Sequence, residues 1–128
     1  METGALGKLY KDGELIVCEG EEGDCMFVIQ EGQVEVYVEK GGKEISLGVH
    51  SAGNFFGEMA LFDRDVRSAS VRALGEARIL TIDKKNFMRR IHEDPALAFR
   101  IVETMSQRIR ELVAEVARLK GGVSSEAS

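Results

Sequence analysis

Apolar residues recur along this chain with two different periods. Leu15-Ile16-Val17-Cys18 and Met26-Phe27-Val28-Ile29 are short apolar runs rich in strand-forming residues. Val34, Val36 and Val38 then alternate with Glu35, Tyr37 and Glu39, the period of a half-buried strand. Lys40-Gly41-Gly42-Lys43 follows, and two glycines accept the positive φ that a tight hairpin requires. Ile45, Leu47 and Val49 alternate again on the return. Val71 to Leu74 and Ala77 to Ile82 read as two further strands joined around Gly75-Glu76. Short strands with glycine turns predict an antiparallel barrel or jelly roll, a β-roll over about 10–83. Residues 1 to 9 read as irregular, with at most one turn of helix.

After Asp83 the period lengthens to that of a helix. Asp83 is a candidate N-cap for a helix from Lys84 to about His92. Asp94-Pro95 places a capping acid before a proline at the first helical position, which starts a second helix running to Lys120. Gly121-Gly122 is the expected stop, and the small, polar residues 121–128 are expected to be a disordered tail. In the second helix Val102, Met105, Ile109, Leu112, Val116 and Leu119 are spaced 3, 4, 3, 4, 3. β-branched residues at a with Met or Leu at d favour a parallel two-stranded coiled coil, so 102–119 is a candidate homodimer seam. Glu115 and Lys120 fall at g and e, where they can pair between chains. The competing reading packs this stripe on the chain's own barrel, and Phe99, Ile101 and Val113, which lie off it, require some of that.

The length of 128 residues fits one domain, taken as 1–120 with the β-roll followed by helices over 84–120. A hydrophobic share of 44% is enough for a real core. The net charge of −5 argues against a general nucleic-acid binder. No apolar run reaches the ~20 residues of a membrane helix, and no secretory signal is visible. No helix-turn-helix pattern follows Gly122, so DNA binding by this sequence alone is not expected. Cys18 and Cys25 do not form a Cys-x-x-Cys pair, and with His50 and His92 they give no metal spacing. They read as buried free thiols of a cytoplasmic protein, and the two histidines as structural or surface residues. A metal enzyme of cupin type needs clustered His and Glu ligands, and no nucleophile stands in a recognisable base-paired context. No catalytic residue, metal or cofactor is therefore assigned.

The most informative stretch runs from Gly57 to Val71. Gly57-Glu58 precedes a short helical turn at Met59-Ala60-Leu61, and Arg67-Ser68-Ala69 follows just before a strand. A helix start offers backbone N–H groups to an anion. Arg67 adds a planar fork that matches phosphate oxygens, and Ser68 adds a hydroxyl. Glu58 only accepts, so it suits a sugar hydroxyl and repels phosphate. Arg64, between Asp63 and Asp65, reads as solvated, and Phe55-Phe56 as core and turn packing. Taken alone, Arg67 could equally be a surface arginine paired with Asp63 or Asp65.

Phe56-Gly57-Glu58-Met59-Ala60-Leu61 and Arg67-Ser68-Ala69 resemble the phosphate-binding cassette of the cyclic nucleotide-binding domain family, Phe-Gly-Glu-x-Ala-Leu followed by Arg-x-Ala. Gly13-Glu14, Glu19-Gly20-Glu21, Gly23-Asp24, Phe27, Ile29, Gly32, Val34 and Val36 extend the match, so it covers roughly residues 10 to 115. The family includes cyclic AMP-dependent kinase regulatory subunits, catabolite activators and cyclic nucleotide-gated channels.

The resemblance implies a non-catalytic sensor for 3′,5′-cyclic AMP or 3′,5′-cyclic GMP. Glu58 would bind the ribose 2′-hydroxyl and Arg67 the cyclic phosphate. Ser68 and the N–H groups around Ala60 and Leu61 would complete the phosphate shell, with Gly57, Met59 and Ala69 shaping it. By resemblance to the catabolite activators, the long helix would form the dimer interface and lie over the base, passing the signal to its twin or to a downstream protein. One departure stands out. Leu112-Val113 replaces the Thr-Ser pair that in the catabolite activators bonds adenine, leaving hydrophobic cover by Leu112 with Arg108, Arg110 or Glu111 as edge readers. The same departure keeps open a degenerate domain of this fold that serves as an oligomerisation or scaffold module without nucleotide.

Overall fold

A computed structural model describes residues 6–62 and 66–127, with side chains to residue 121. Its elements in chain order are β1 (Lys8–Tyr10), β2 (Leu15–Val17), β3 (Cys25–Lys40), β4 (Lys43–Ser51), β5 (Phe55–Phe56), α1 (Met59–Phe62), β6 (Ser70–Asp83), α2 (Lys84–Glu93) and α3 (Pro95–Ala127). The chain divides into one compact unit reaching to Phe87 and a second from Met88 onwards. The division falls inside α2.

In the first unit six strands form one antiparallel sheet in the order β1-β6-β3-β4, with β2 also paired to β6 and β5 to β3. Among the described residues the sheet does not close into a barrel, so the mainly β roll with C-terminal helices stands and the closed form does not. Met26, Ile29, Val34, Ile79 and Ile82 are fully buried between its strands. The Lys40–Lys43 pairing with Gly41 and Gly42 both at positive φ is the expected two-residue hairpin.

Four boundaries differ from the sequence reading, each for a physical reason. Residues 8 and 9, expected to be irregular, join Tyr10 in β1, because Lys8–Tyr10 pairs with the long strand β6 over Ala77–Ile79. The runs at 26–29 and 34–38 are one bent strand: the register shifts around Ile29, Glu31 and Gln33, so Gly32 bends β3 without ending it. Likewise β6 passes through Gly75, whose N–H is taken by the Asp12 carboxylate at 2.7 Å.

The fourth lies in the second unit, where α3 continues past Gly121-Gly122 to Ala127. The stretch expected to be a disordered tail is thus helical up to that residue. Gly121 does not take the positive φ of a helix-ending glycine, and an interior glycine costs a helix only about 1 kcal/mol. The helix starts are as expected. Asp83 Oδ1 accepts the Asn86 N–H at 2.8 Å, capping α2, and α3 begins at Pro95. No helix among the described residues is long and apolar enough to cross a membrane.

Candidate nucleotide site

Gly57 carries the chain from β5 into α1. Its φ of 74° suits glycine, and a Cβ there would sit 2.8 Å from the Arg67 guanidinium and 3.2 Å from the Phe27 ring. The α1 turn then closes on itself: Ala60 N–H donates to Gly57 O at 3.3 Å and Leu61 N–H to Glu58 O at 3.0 Å. Those two N–H groups, assigned to a phosphate shell by the sequence reading, are therefore spent on the turn. Ala60 and Leu61 are buried and anchor it, while Met59 lies exposed.

The return segment is fixed by backbone bonds to the 20–22 loop. Arg67 N–H donates to Glu21 O at 2.7 Å, Gly20 N–H donates to Arg67 O at 2.9 Å, and Val66 bridges Glu22. Asp63, Arg64 and Asp65, and with them the solvated reading of Arg64 and its neighbours' pairing with Arg67, lie outside the described residues.

Arg67 is half-buried and held inward. Its Nη1 donates to Gly57 O at 3.0 Å, its Nη2 donates to Cys25 O at 2.9 Å, and its guanidinium lies 5.4 Å from the centroid of the Phe27 ring. Phe27 in turn stacks on Phe56, centroids 5.1 Å apart. A Cβ on Gly23 would collide with the guanidinium, so glycine at 23 makes room for the fork. With five N–H donors on a guanidinium, these two bonds leave others for an anion. The Cys25 sulfur lies 3.8 Å from Nη2. Burial pushes the Cys25 thiol up, against the pull of the Arg67 charge. Cys18 and Cys25 are both free thiols, half-buried and not fully buried as the sequence suggests.

Gly57, Glu58, Met59, Ala60, Arg67, Ser68 and Ala69 all line one pocket of about 200 Å³. Leu61, the remaining cassette residue, is buried on α1. Arg108, Glu111 and Leu112 sit on α3 in the second unit, where Glu111 and Leu112 are exposed. The sequence reading missed the rest of the wall: Val17 on β2, Val36 on β3, Val66, Val71 on β6, and His50 on β4. His50, read as structural or surface, is half-buried and lines the pocket. The arrangement joins a cationic fork, a hydroxyl and an acceptor-only carboxylate on one side to a largely apolar wall on the other. That is the polarity of a small anion bearing a sugar and a flat apolar group.

The chain belongs to the cyclic nucleotide-binding domain family, whose model matches residues 8–94. It is 29% identical over 110 residues to the cyclic AMP receptor protein of Thermus thermophilus, covering 85% of this chain and 51% of that protein. It is 36% identical over 80 residues to a cAMP-dependent protein kinase regulatory subunit of Emericella nidulans, covering 62% of this chain and 19% of the relative. Among solved structures, the Thermus thermophilus catabolite activator protein matches with a TM-score of 0.77 and 29% identity, over 88% of this chain and 54% of that one. The chain thus spans about half the length of the first relative and about a fifth of the second.

Proposed function

We propose that this chain is a non-catalytic sensor that binds a 3′,5′-cyclic nucleotide, cyclic AMP or cyclic GMP, in the pocket between the cassette and the sheet. The observation that carries this is the convergence of Glu58, Arg67 and Ser68 on one pocket. Arg67 would meet the cyclic phosphate with the donors its two carbonyl bonds leave over, Ser68 would add its hydroxyl, and Glu58 would accept from the ribose 2′-hydroxyl. The apolar wall would take the base. A reducing cytoplasm suits the two free thiols.

The signal would pass through α3 to a second copy or to a downstream protein. In support, Val102, Ile109, Leu112, Val116 and Leu119 are each at least 50% exposed in the single chain, a sustained apolar stripe of the kind that closes when two helices pair. Ile109→Lys with Leu112→Lys is expected to convert a dimer to a monomer in light scattering. An unchanged mass removes the seam. The binding itself is tested by calorimetric titration with cyclic AMP and cyclic GMP, with Arg67→Ala as control. Saturable heat lost in the variant supports the sensor. No heat with either nucleotide favours the scaffold module without ligand.

A further inference from the structure

Strand β3 opens with Cys25-Met26-Phe27, and alternation puts Cys25 and Phe27 on one face. Both side chains reach Arg67 from that face. The Cys25 sulfur lies 3.8 Å from Nη2, and the guanidinium sits over the Phe27 ring, 5.4 Å from its centroid. The ring is itself fixed. Phe27 pairs with Phe56 on β5 and with Thr81 on β6. Directly opposed residues in an antiparallel pair share a face, so the Phe27 and Phe56 rings stack, 16° from parallel with centroids 5.1 Å apart. Both belong to the buried core cluster.

The stack completes the hold on the fork. Gly57 O accepts from Nη1 at 3.0 Å and Cys25 O from Nη2 at 2.9 Å. A carbonyl oxygen accepts over a broad range of angles, so those two bonds alone leave the tilt of the guanidinium loose. A ring face attracts a cation placed over it through its quadrupole and so favours one tilt. The pocket is lined by Phe56, Gly57 and Arg67 but not by Phe27. The Phe27 ring therefore acts on a ligand through the fork.

Resting on the nucleotide reading above, we propose that Phe27 is a positioning residue: its ring, backed by Phe56, holds the Arg67 fork in its phosphate-binding orientation before a nucleotide arrives. A long cationic side chain that orders only on binding loses rotamer freedom at that moment, which weakens the complex. The ring face removes that loss in advance. The cyclic phosphate is common to cyclic AMP and cyclic GMP, so the contribution is the same for both and leaves their affinity ratio unchanged.

The test is calorimetric titration of the full chain with cyclic AMP and cyclic GMP, comparing wild type with Phe27→Leu, Phe27→pentafluorophenylalanine and Ile79→Val. The first variant removes the ring. The second keeps its shape and reverses the charge of its face. The third trims the same buried cluster on β6. Both Phe27 variants are expected to weaken the two nucleotides together, roughly 2- to 30-fold, the range of a cation–π contact, with Ile79→Val within about twofold of wild type. The fluorinated variant decides even where the leucine variant folds poorly. A ring that merely fills the core would let the fluorinated variant bind like wild type, and that result overturns the assignment while nucleotide binding stands. An equal loss in Ile79→Val marks a general effect of the core and overturns it too. Wild type binding neither nucleotide overturns the underlying reading as well, so the two failures are distinguishable.

Discussion

Arg67 and His50 line the same pocket, but different features place them there. Arg67 stands in a cassette of about a dozen contiguous residues, pinned at its return by bonds to Gly20, Glu21 and Cys25. Gly57 turns the chain, the Ala60 and Leu61 N–H groups bond back to the Gly57 and Glu58 carbonyls, and the guanidinium is tied to Gly57 and Cys25. His50 stands on β4, and only a bulge at Leu47 turns it inward. The fork is named by its own stretch but depends on its partners at Gly57 and Cys25. Side chains placed by register depend on every residue between them and the bulge.

The largest effect on this comparison is expected from Gly23→Ala. The added methyl collides with the fork, displacing Arg67 without touching its chemistry. Cyclic nucleotide affinity should fall roughly 10- to 150-fold, the range of a charged hydrogen bond, with the circular dichroism spectrum retained. An unchanged affinity would show that the fork is not held by this packing.

One deletion probes the register side. Removing Leu47 takes out the bulged residue and leaves the His50–Val34 pairing in place, so the fold should be kept with a melting shift of about a few degrees. Loss of the folded state would contradict the bulge.

The smallest effect lies on the outer face. Arg72 reaches Glu35 through Nε at 3.1 Å and Nη2 at 2.9 Å, and Glu44 through Nη1 at 3.0 Å, with its guanidinium 4.1 Å from the centroid of Tyr37. Hydrogen bonding from Arg72 holds the Glu35 carboxyl below the usual carboxylate range. A group depressed in the folded state adds stability above its unfolded value and loses it as pH falls through the folded one. Glu35→Gln should therefore lower the melting temperature slightly at neutral pH, and the difference from wild type should fade in acid. A gap that stays constant across that range would contradict the pairing.

The cassette was legible because its chemistry is local: Gly57, Glu58, Arg67 and Ser68 fall in order within one stretch, and all reach one pocket. Most strands were legible from alternation, and the hairpin from its two glycines. What alternation cannot carry is a break in its own period. Ile45, Leu47 and Val49 look continuous, yet the extra residue at Leu47 exchanges faces, so His50 read as peripheral. The continuity of β3 through Gly32 was hidden likewise, since a glycine that bends a strand looks like one that ends it. The role of Gly23 was hidden because its missing side chain matters only once Arg67, 44 positions away by numbering (67 minus 23), folds over it. A glycine pair also overstated the end of α3, since its cost to a long helix is modest.

The central claim is that this pocket holds a cyclic nucleotide through Arg67. Calorimetric titration of wild type and Arg67→Ala tests it most directly, with a thermal melt of each protein alongside. The variant removes the guanidinium's bonds to the Gly57 and Cys25 carbonyls, so a stability loss of order 1–3 kcal/mol is expected, and the titration belongs well below its melting point. The account predicts saturable binding of cyclic nucleotide by the wild type and none by the folded variant. Equal binding by both would contradict it.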